Sequence, residues 1–516
     1  MDLVIFAALG NREENVNNKR KKKNKQLIWI ALLSFVLLVC VIAQVQKKTR
    51  ISEQKNSIQS QRSENANNTG NANSKEVMKK NVRVLIKTTG FTDSYHKKVT
   101  LTSKSAFTVR IGKKTTQYPA NAKVTFTKKD KAALKKKIII KAGGNAKLCL
   151  SSIKRQNRHP SYRGSMELSL QYGKIIVVNE LPIEQYLYAV VPSELSTGHQ
   201  LEALKAQAVC ARSYLYGQLK AKRYQKYHAN VDDSVSCQVY NNIPEDARSR
   251  EAVDQTKGQV LTSGGKGIAI YYFSTSWGST ASAKEVWKTA SETSYLPAKI
   301  QITSEEQTRT GLIQMDLSNE TDFRNFLTNK FYDTYDSHAD WYRWNVTIAG
   351  KSLSVRFDQA LAECYRSNPS MVLTKTKKGT YQKKPVVSIG KLKDIQIAKR
   401  EKSGLVTELF LIGKDRTVKV ISQYNIRKVL APLYEKIYYK NATASTMMKL
   451  LPSAAFYIEK ASVDNKAAYR FVGGGFGHGC GMSQEGAARM AELGKNYVEI
   501  LQQYFEGAQL TQYQES

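Results

Sequence analysis

The spacing of apolar residues changes along the chain, and this change constrains the fold more than any other feature. Between residues 82 and 178, short runs of apolar and β-branched residues, many of them alternating with polar ones, are typical of strands. These runs are 82–86, 107–111, 124–126, 138–140, 166–170 and 175–178. Residues 201–219 instead repeat apolar side chains every three or four positions, which predicts an amphipathic helix.

The fold class predicted from these patterns is α+β, with a β-rich lobe, a mixed helix and strand core and a helical insertion. The 516 residues exceed one average domain and can bury large cores. The expected parts are a β-rich lobe at 81–180, a core at 181–300, an insertion lobe at 300–385 and a C-terminal core at 386–512. Further helices are expected at 322–332, 359–366, 486–493 and 498–504, and strands at 267–273 and within 386–420.

Glu194 is the first candidate for chemistry. It follows the apolar residues Val190, Val191 and Pro192 and is expected on the loop that enters the 201–219 helix. Desolvation by such neighbours raises the pKa of a carboxyl group, as a general acid requires. Thr197 and Gln200 have the spacing of a capping box for that helix. A surface glutamate remains the ordinary alternative for an isolated carboxylate.

A glycine block at residues 473–481 carries the second set of candidates. Glycines supply positive φ angles and close backbone approach, and here they flank His478 and precede Ser483 and Gln484. A structural turn with a structural histidine is the alternative. The polar loop at 274–280 offers Ser274 and Ser276, although it lacks the spacing of a nucleophile elbow and is equally typical of an ordinary turn.

Residues 27–43 form an apolar stretch broken only by Ser34, about 26 Å long as a helix. Lysines and an arginine crowd its N-terminal side, so the positive-inside rule predicts a basic cytoplasmic tail at 1–26 and an outward-facing remainder. A flexible linker is expected at 44–80. The predicted location is therefore the cell membrane, in a single pass. A cleaved signal peptide is the alternative.

The formal charge of +37 favours polyanionic partners. An outward-facing chain does not meet genomic DNA, so nucleic acid is not expected as a partner. Lysine clusters such as 128–129 and 135–137 are interpreted as solvated faces. The six cysteines show neither a disulfide framework nor paired zinc spacing, so no metal and no cofactor is expected.

Several blocks of the chain, in order, closely resemble the stage II sporulation protein D family, which includes the amidase-enhancer proteins of bacterial cell-wall turnover. They are residues 181–194, 201–214, 272–276 and 476–487, with a similar terminal helix and tail at 497–510. The resemblance runs from about Val82 to the C-terminus. The single membrane anchor also fits this family.

The resemblance implies a lytic transglycosylase that cleaves peptidoglycan glycan strands. It implies an amidase partner that first removes the stem peptides, and a role in engulfment during sporulation. The family's acid–base glutamate falls on Glu194 and its helix arginine on Arg212, which we expect to pair with Glu194 or hold a substrate oxygen. Ser274, Ser276, His478, Ser483 and Gln484 complete the expected substrate-binding set.

The chain departs from its relatives at three places, one of which is the segment 300–385, where the resemblance is weak. Some carry a Cys-x-x-x-x-His-Cys metal motif near Cys237, but Val231 and Ser236 occupy its other positions here, so no zinc of that type is expected; His228 and Cys237 remain partial ligands at most. Bulky Trp277 stands where relatives carry a small or polar residue. A non-catalytic enhancer that binds glycan and activates an amidase, or a structural wall-binding protein, are the alternative functions.

Overall fold

The computed structural model describes residues 81–288, 293–310, 315–329, 332–386, 388–440, 444–445 and 448–512. The predicted basic tail, membrane segment and linker at 1–80 lie outside the described residues. Within the ranges just given, no helix is both long enough and apolar enough to cross a membrane.

Ten strands and one short helix occupy residues 81–182. They are β1 Asn81–Leu85, β2 Lys98–Ser103, β3 Phe107–Ile111, β4 Lys114–Tyr118, β5 Val124–Thr127, α1 Lys131–Lys135, β6 Ile138–Ala142, β7 Leu148–Leu150, β8 Ser161–Tyr162, β9 Ser165–Gln171 and β10 Lys174–Pro182. Five of the six predicted strand segments fall within these strands, and the sixth, 82–86, extends one residue beyond β1, so the predicted strands are confirmed. In β3, for example, Phe107 and Val109 are buried and Arg110 is exposed, as the alternation requires.

These strands form two sheets. The larger has the order β11–β1–β10–β9–β6–β3–β4, in which β11, Val231–Asp232, joins β1 in parallel and the other pairs are antiparallel. The smaller has the order β5–β2–β7–β8. Val99 and Leu101 of β2 share one buried core with Val109 and Ile140 of the larger sheet.

Three helices follow the β-rich part: α2 Ile183–Glu194, α3 Leu201–Lys220 and α4 Ala247–Gln255. The predicted helix at 201–219 is confirmed, and its apolar face packs against α2 and α4. The predicted capping box is wrong, because Gln200 caps α3 without a side-chain hydrogen bond. Glu194 ends α2 instead of lying on a loop, since α2 continues through Pro192 for two further residues.

The remaining described residues alternate short strands and helices, so the mixed α+β class is confirmed. They are β12 Gln259–Ser263, β13 Lys266–Gly267, β14 Tyr272–Phe273, β15 Ser279–Thr280, α5 Ala283–Val286, β16 Lys299–Ile300, α6 Ser304–Thr310, α7 Glu320–Thr328, β17 Trp344–Ala349, α8 Gly350–Ser367, β18 Val372–Lys375, β19 Tyr381–Gln382, β20 Leu392–Arg400, β21 Val406–Gly413, β22 Thr417–Ile421, α9 Gln423–Val429, β23 Ile437–Tyr439, β24 Ala444–Ser445, β25 Phe456–Val463, β26 Lys466–Gly473, β27 Met482–Ser483, α10 Gln484–Glu492, α11 Tyr497–Tyr504 and β28 Gln509–Gln512.

Five smaller sheets join distant parts of the chain. Their orders are β13–β12–β28, β14–β27, β15–β16, β24–β23–β17–β26–β25 and β19–β18–β22–β21–β20. The predicted strand at 267–273 is instead two short strands, β13 and β14, with irregular backbone between them. The parallel pair β14–β27 brings the glycine block beside the helices α2 and α3, because α10, which follows β27, packs on α3.

Candidate active site around Glu194

Glu194 lies where the last turn of α2 meets the segment after β11. Its Oε1 atom accepts a hydrogen bond of 2.6 Å from the backbone N–H of Val239. Its backbone carbonyl accepts one of 3.1 Å from Nε2 of Gln484, at the start of α10. Residues 194, 239 and 484 therefore meet at one place, and the carboxyl group is enclosed although the residue as a whole is only partly buried.

Burial raises the pKa of the Glu194 carboxyl from 4.5 to about 7. Two donors oppose this effect without cancelling it: the Val239 N–H and the hydroxyl of Tyr272, both of which stabilise the carboxylate. The apolar neighbours Val190 and Val191 are fully buried, as the sequence indicated. The group is thus divided between acid and carboxylate at neutral pH, which suits a residue that must give up and regain a proton.

Tyr272 and Gln238, which sequence reasoning missed as site residues, form a polar network beside Glu194. Gln238 Nε2 donates to the Tyr272 hydroxyl at 3.1 Å and to the Ala211 carbonyl at 3.2 Å. Its Oε1 accepts from the hydroxyl of Tyr186 at 3.4 Å. Gln238 therefore fixes the position of the hydroxyl that contacts the glutamate.

Ser193 holds the segment that carries Val239 against α2. Its hydroxyl donates to the Ala189 carbonyl at 2.7 Å and accepts from the backbone N–H groups of Asn242 and Ile243, each at 3.1 Å. The segment runs back along the last turn of α2 as a result. The backbone donor is thereby kept within reach of the carboxylate.

Buried ion pairs fix the other end of this segment. Lys87 Nζ lies 3.1 Å from Asp232 Oδ2, and Arg155 NH2 lies 2.5 Å from Asp233 Oδ2, with all four side chains nearly inaccessible to solvent. Around Cys237, where some relatives are expected to bind a metal, the part of the chain that the structure describes has no group of three His, Cys, Asp or Glu side chains arranged for one.

Arg212 does not pair with Glu194, contrary to the predicted pairing. Its guanidinium is fully buried and forms a two-pronged contact with Glu184, Nε to Oε1 at 2.9 Å and NH2 to Oε2 at 2.6 Å. It also donates to the carbonyls of Gln259 and Val253 at 3.1 and 3.3 Å. Since these bonds use its donors, Arg212 joins α3 to α2, α4 and β12 as a structural residue.

The glycine block packs directly on β14 and Trp277. Gly481 has φ +81°, and a Cβ atom there would lie 2.1 Å from the Tyr271 carbonyl oxygen. A Cβ at Gly479 would lie 2.5 Å from the Trp277 ring, which is itself fully buried and donates its Nε1–H to the Ser403 carbonyl. The glycines are thus required for close approach, and Trp277 is a core residue rather than a loop contact.

Asp336, from the insertion, holds together two of the three serines in the predicted substrate-binding set, Ser276 and Ser483. Its carboxylate accepts from the Ser276 N–H and hydroxyl at 2.8 and 2.7 Å and from the Ser483 hydroxyl. Ser276, Ser483 and Asp336 are fully buried, and burial raises the pKa of Asp336 to about 6. The two hydroxyls therefore join β14 and β27 rather than face a ligand. Ser274, which is partly exposed, bonds to the Thr275 hydroxyl at 3.0 Å.

His478 contacts the opposite side of β14 from Glu194. Its ring lies against Phe273 and Trp287, at 5.6 and 5.2 Å between centroids, whereas the neighbouring Tyr272 side chain contacts Glu194. Successive strand residues face opposite ways. Burial, with the charge of Arg427 as a further cause, lowers the pKa of His478 to about 4. Of the predicted substrate-binding residues, Gln484 is the one seen in direct contact with Glu194 in the described structure.

Comparison with known proteins gives matches over this same region. A family profile described as stage II sporulation protein matches residues 171–263, which include α2, α3 and Val239. A domain of unknown function matches residues 437–481. The profile match therefore covers Glu194 and its backbone donor, and the second match covers the glycine block.

Three relatives extend the comparison. An uncharacterized protein of Brachyspira hyodysenteriae is 30% identical over 68% of this chain and 73% of its own length. The amidase enhancer of Bacillus subtilis is 30% identical over 63% of this chain, but only 40% of its own length is covered. Stage II sporulation protein D of Bacillus subtilis is 32% identical over 22% of this chain and 37% of its own.

Proposed function

The chain belongs to the stage II sporulation protein D and amidase-enhancer family, and from that premise we propose that it cleaves the glycan strands of peptidoglycan as a lytic transglycosylase. The observation that carries this proposal is the enclosed carboxyl group of Glu194, with its pKa raised to about 7 and two hydrogen-bond donors on it. The buried carboxylate of Asp336 is instead held by the hydroxyls of Ser276 and Ser483. Hydrolysis by the usual route needs a second carboxylate within about 10 Å to activate water. Intramolecular transfer needs one acid–base group.

In this mechanism Glu194 first acts as the acid. Its proton passes to the glycosidic oxygen as the bond between that oxygen and C1 of the sugar breaks. The resulting carboxylate then takes the proton of the C6 hydroxyl on the same sugar, and O6 bonds to C1. The products are a 1,6-anhydro end and a free hydroxyl end, and Glu194 is again protonated, so no water is consumed.

The contacts of Glu194 support both halves of this cycle. The Val239 N–H, 2.6 Å from Oε1, and the Tyr272 hydroxyl stabilise the carboxylate that forms after the first proton transfer. Gln484 bonds to the backbone rather than to the carboxyl group, so it positions the end of α2. We assign Tyr272 and Gln484 as positioning residues and Ser274, which is partly exposed near β14, as a substrate contact.

The proposal includes a location and a partner. The family is linked to sporulation and the cell wall, and a relative carries the name amidase enhancer. Residues 27–43 would anchor the chain in the membrane, with the described residues outside. A cell-wall amidase would act first and leave glycan free of stem peptides.

The test is digestion of peptide-free glycan strands by the full-length chain in detergent, with products separated by mass. We expect 1,6-anhydro ends from the parent and none from Glu194→Gln, which keeps the size and polarity of the side chain. Glu251→Gln, on the exposed face of α4, is the matched control and should cleave as the parent does. Cleavage retained by Glu194→Gln would remove the residue from the mechanism.

A second function, a glycan-binding enhancer of an amidase, is favoured by the relative named amidase enhancer, which matches 63% of this chain. The same preparation decides between the two. If the parent releases no anhydro ends but binds the strands and accelerates an added amidase, and if Glu194→Gln does the same, the chain is an enhancer.

A further inference from the structure

The positive charge of the protein is concentrated in the β-rich part, far more than its length explains. Residues 81–182 contain 22 Lys and Arg but four Asp and Glu, a formal excess of 18 within a chain total of +37. About half of the net charge therefore lies in about a fifth of the sequence. Such a localised charge produces a positive electrostatic potential on one part of the protein surface, instead of one spread over the whole surface.

Two lysine-rich segments that are separate in sequence meet at one end of the larger sheet. Ile111, at the end of β3, pairs with both Lys114 of β4 and Ile138 of β6. The turn that carries Lys113 therefore lies beside the segment that ends at Lys137. A Cβ built at Gly112 would lie 4.0 Å from Cδ of Lys136, which gives the same closeness.

The lysines of these segments form what we call the basic ridge. Its members are Lys113, Lys114, Lys128, Lys129, Lys131, Lys135 and Lys136, all of them exposed. The stretch from 128 to 136 covers about 14 Å if it rises as a helix. The one acidic residue inside it, Asp130, accepts a 2.7 Å bond from the Thr127 N–H in a capping box.

The ridge residues lack acidic partners among the described part of the chain. The nearest ion pair there belongs to the adjacent Lys137, whose Nζ lies 3.6 Å from Glu167 Oε1. Ordinary surfaces of small proteins interleave both signs of charge. Several like charges held together without counter-charges cost electrostatic free energy, and a bound polyanion would remove that cost.

The ridge is distant from Glu194. Lys113 and Lys114 lie at the β4 edge of the larger sheet and residues 128–136 lead into β6, whereas β11, which leads into the segment bearing Val239, forms the opposite edge. Four to six strand spacings separate these strands from β11, about 19–29 Å along the sheet at ~4.8 Å each. Substitutions in the ridge can therefore be made without touching the proposed active site.

We propose that the basic ridge binds a flexible, soluble polymer that carries one phosphodiester charge per repeat, such as poly(glycerol phosphate). Lysine ammonium groups bind phosphate oxygens as point charges, whereas arginine is favoured where a carboxylate or phosphate is held by two parallel hydrogen bonds. Single-stranded nucleic acid is usually bound with aromatic stacking platforms, and a membrane surface with large apolar side chains. None of the exposed large hydrophobic residues of the described chain belongs to the ridge.

The experiment measures binding of fluorescent poly(glycerol phosphate) to the full-length chain in detergent at 50 and 200 mM salt. The ridge variant is K113Q/K114Q/K135Q/K136Q. The control is K377Q/K378Q/K383Q/K384Q, four exposed lysines around the β18–β19 turn that remove the same net charge. We expect the ridge variant to bind at least about tenfold more weakly, with a shallower salt dependence, and the control to change less than about twofold.

Three results would overturn the proposal. Equal weakening of binding in the two variants would assign binding to the net charge of the protein. Tighter ridge-dependent binding to vesicles with anionic lipids or to oligo(dT) would assign the ridge to those ligands. Absence of poly(glycerol phosphate) binding by the parent would also overturn the proposal. Circular dichroism shows whether each variant is folded. Binding by the ridge is tested separately from the function of Glu194. Both lysine variants keep the Glu194 site unchanged, so each should cleave glycan as the parent does.

Discussion

Replacement of Glu194 by glutamine should stabilise the folded protein in a pH-dependent way. Burial raises the pKa of the Glu194 carboxyl from 4.5 to about 7, so the folded state binds a proton that the unfolded state has already lost between these pH values. Folding stability therefore falls as the pH rises through this window. The parent is penalised most above pH 7, where the carboxylate is charged and enclosed.

The size of the effect follows from the two pKa values. With 4.5 unfolded and about 7 folded, the cost of ionising Glu194 is about 1 kcal/mol at pH 5 and about 3 kcal/mol at pH 8. Glutamine removes this titration and still offers an oxygen to the Val239 N–H. The difference in unfolding free energy between the variant and the parent should thus grow by about 2 kcal/mol from pH 5 to pH 8.

Urea unfolding of the parent, Glu194→Gln and Glu251→Gln at both pH values measures this difference. The comparison with the parent cancels other titrating groups, including Asp336, whose pKa burial also raises to about 6. The Glu251 control should show the pH dependence of the parent. If Glu194→Gln raises the unfolding free energy by the same amount at pH 5 and pH 8, the view that the Glu194 carboxyl group is desolvated is refuted.

Three further substitutions test the surroundings of the site. Tyr272→Phe removes a donor that lowers the pKa of Glu194, so the alkaline limb of the cleavage pH profile should move to higher pH; an unmoved limb would contradict that contact. Arg212→Met leaves Glu184 unpaired and should cost about 3–5 kcal/mol in urea unfolding, and a loss below about 1 kcal/mol would contradict the buried pairing. Gly481→Ala should lower Tm by more than Gly494→Ala, because both have φ near +80° but only Gly481 has an atom within 4 Å of the added Cβ; equal Tm changes would show that close packing is not what requires glycine.

Local patterns predicted the local elements well. The strands between 81 and 182 and the long helix α3 have strong periodicity and follow it in the structure. The raised pKa of Glu194 was also predictable, since its apolar neighbours are adjacent in sequence. The helix α2 was not predicted, because a proline usually ends a helix and residues after Pro192 were expected in a loop. In the structure, the last turn of α2 contains Pro192.

The contacts that build the site join residues far apart in the chain, and no local sequence pattern predicts them. The donor at Val239 is a backbone N–H, which any non-proline residue carries. Asp336 reaches serines 60 and 147 positions away, so no spacing rule connects them. Arg212 was expected, from the family resemblance, to pair with Glu194 or to hold a substrate oxygen, but it pairs with Glu184. Both glutamates lie on α2, and only packing decides which one α3 meets.

The hydrogen bond between Gln484 and the Glu194 carbonyl joins residues 290 positions apart. At a synthesis rate of about 5–20 residues per second, Glu194 is made roughly 15–60 s before Gln484. A nascent chain therefore carries the proposed acid without the contact that Gln484 of α10 makes with it. On the proposed function, glycan cleavage would begin only once nearly the whole polypeptide has been synthesised. A truncated translation product would not cleave peptidoglycan.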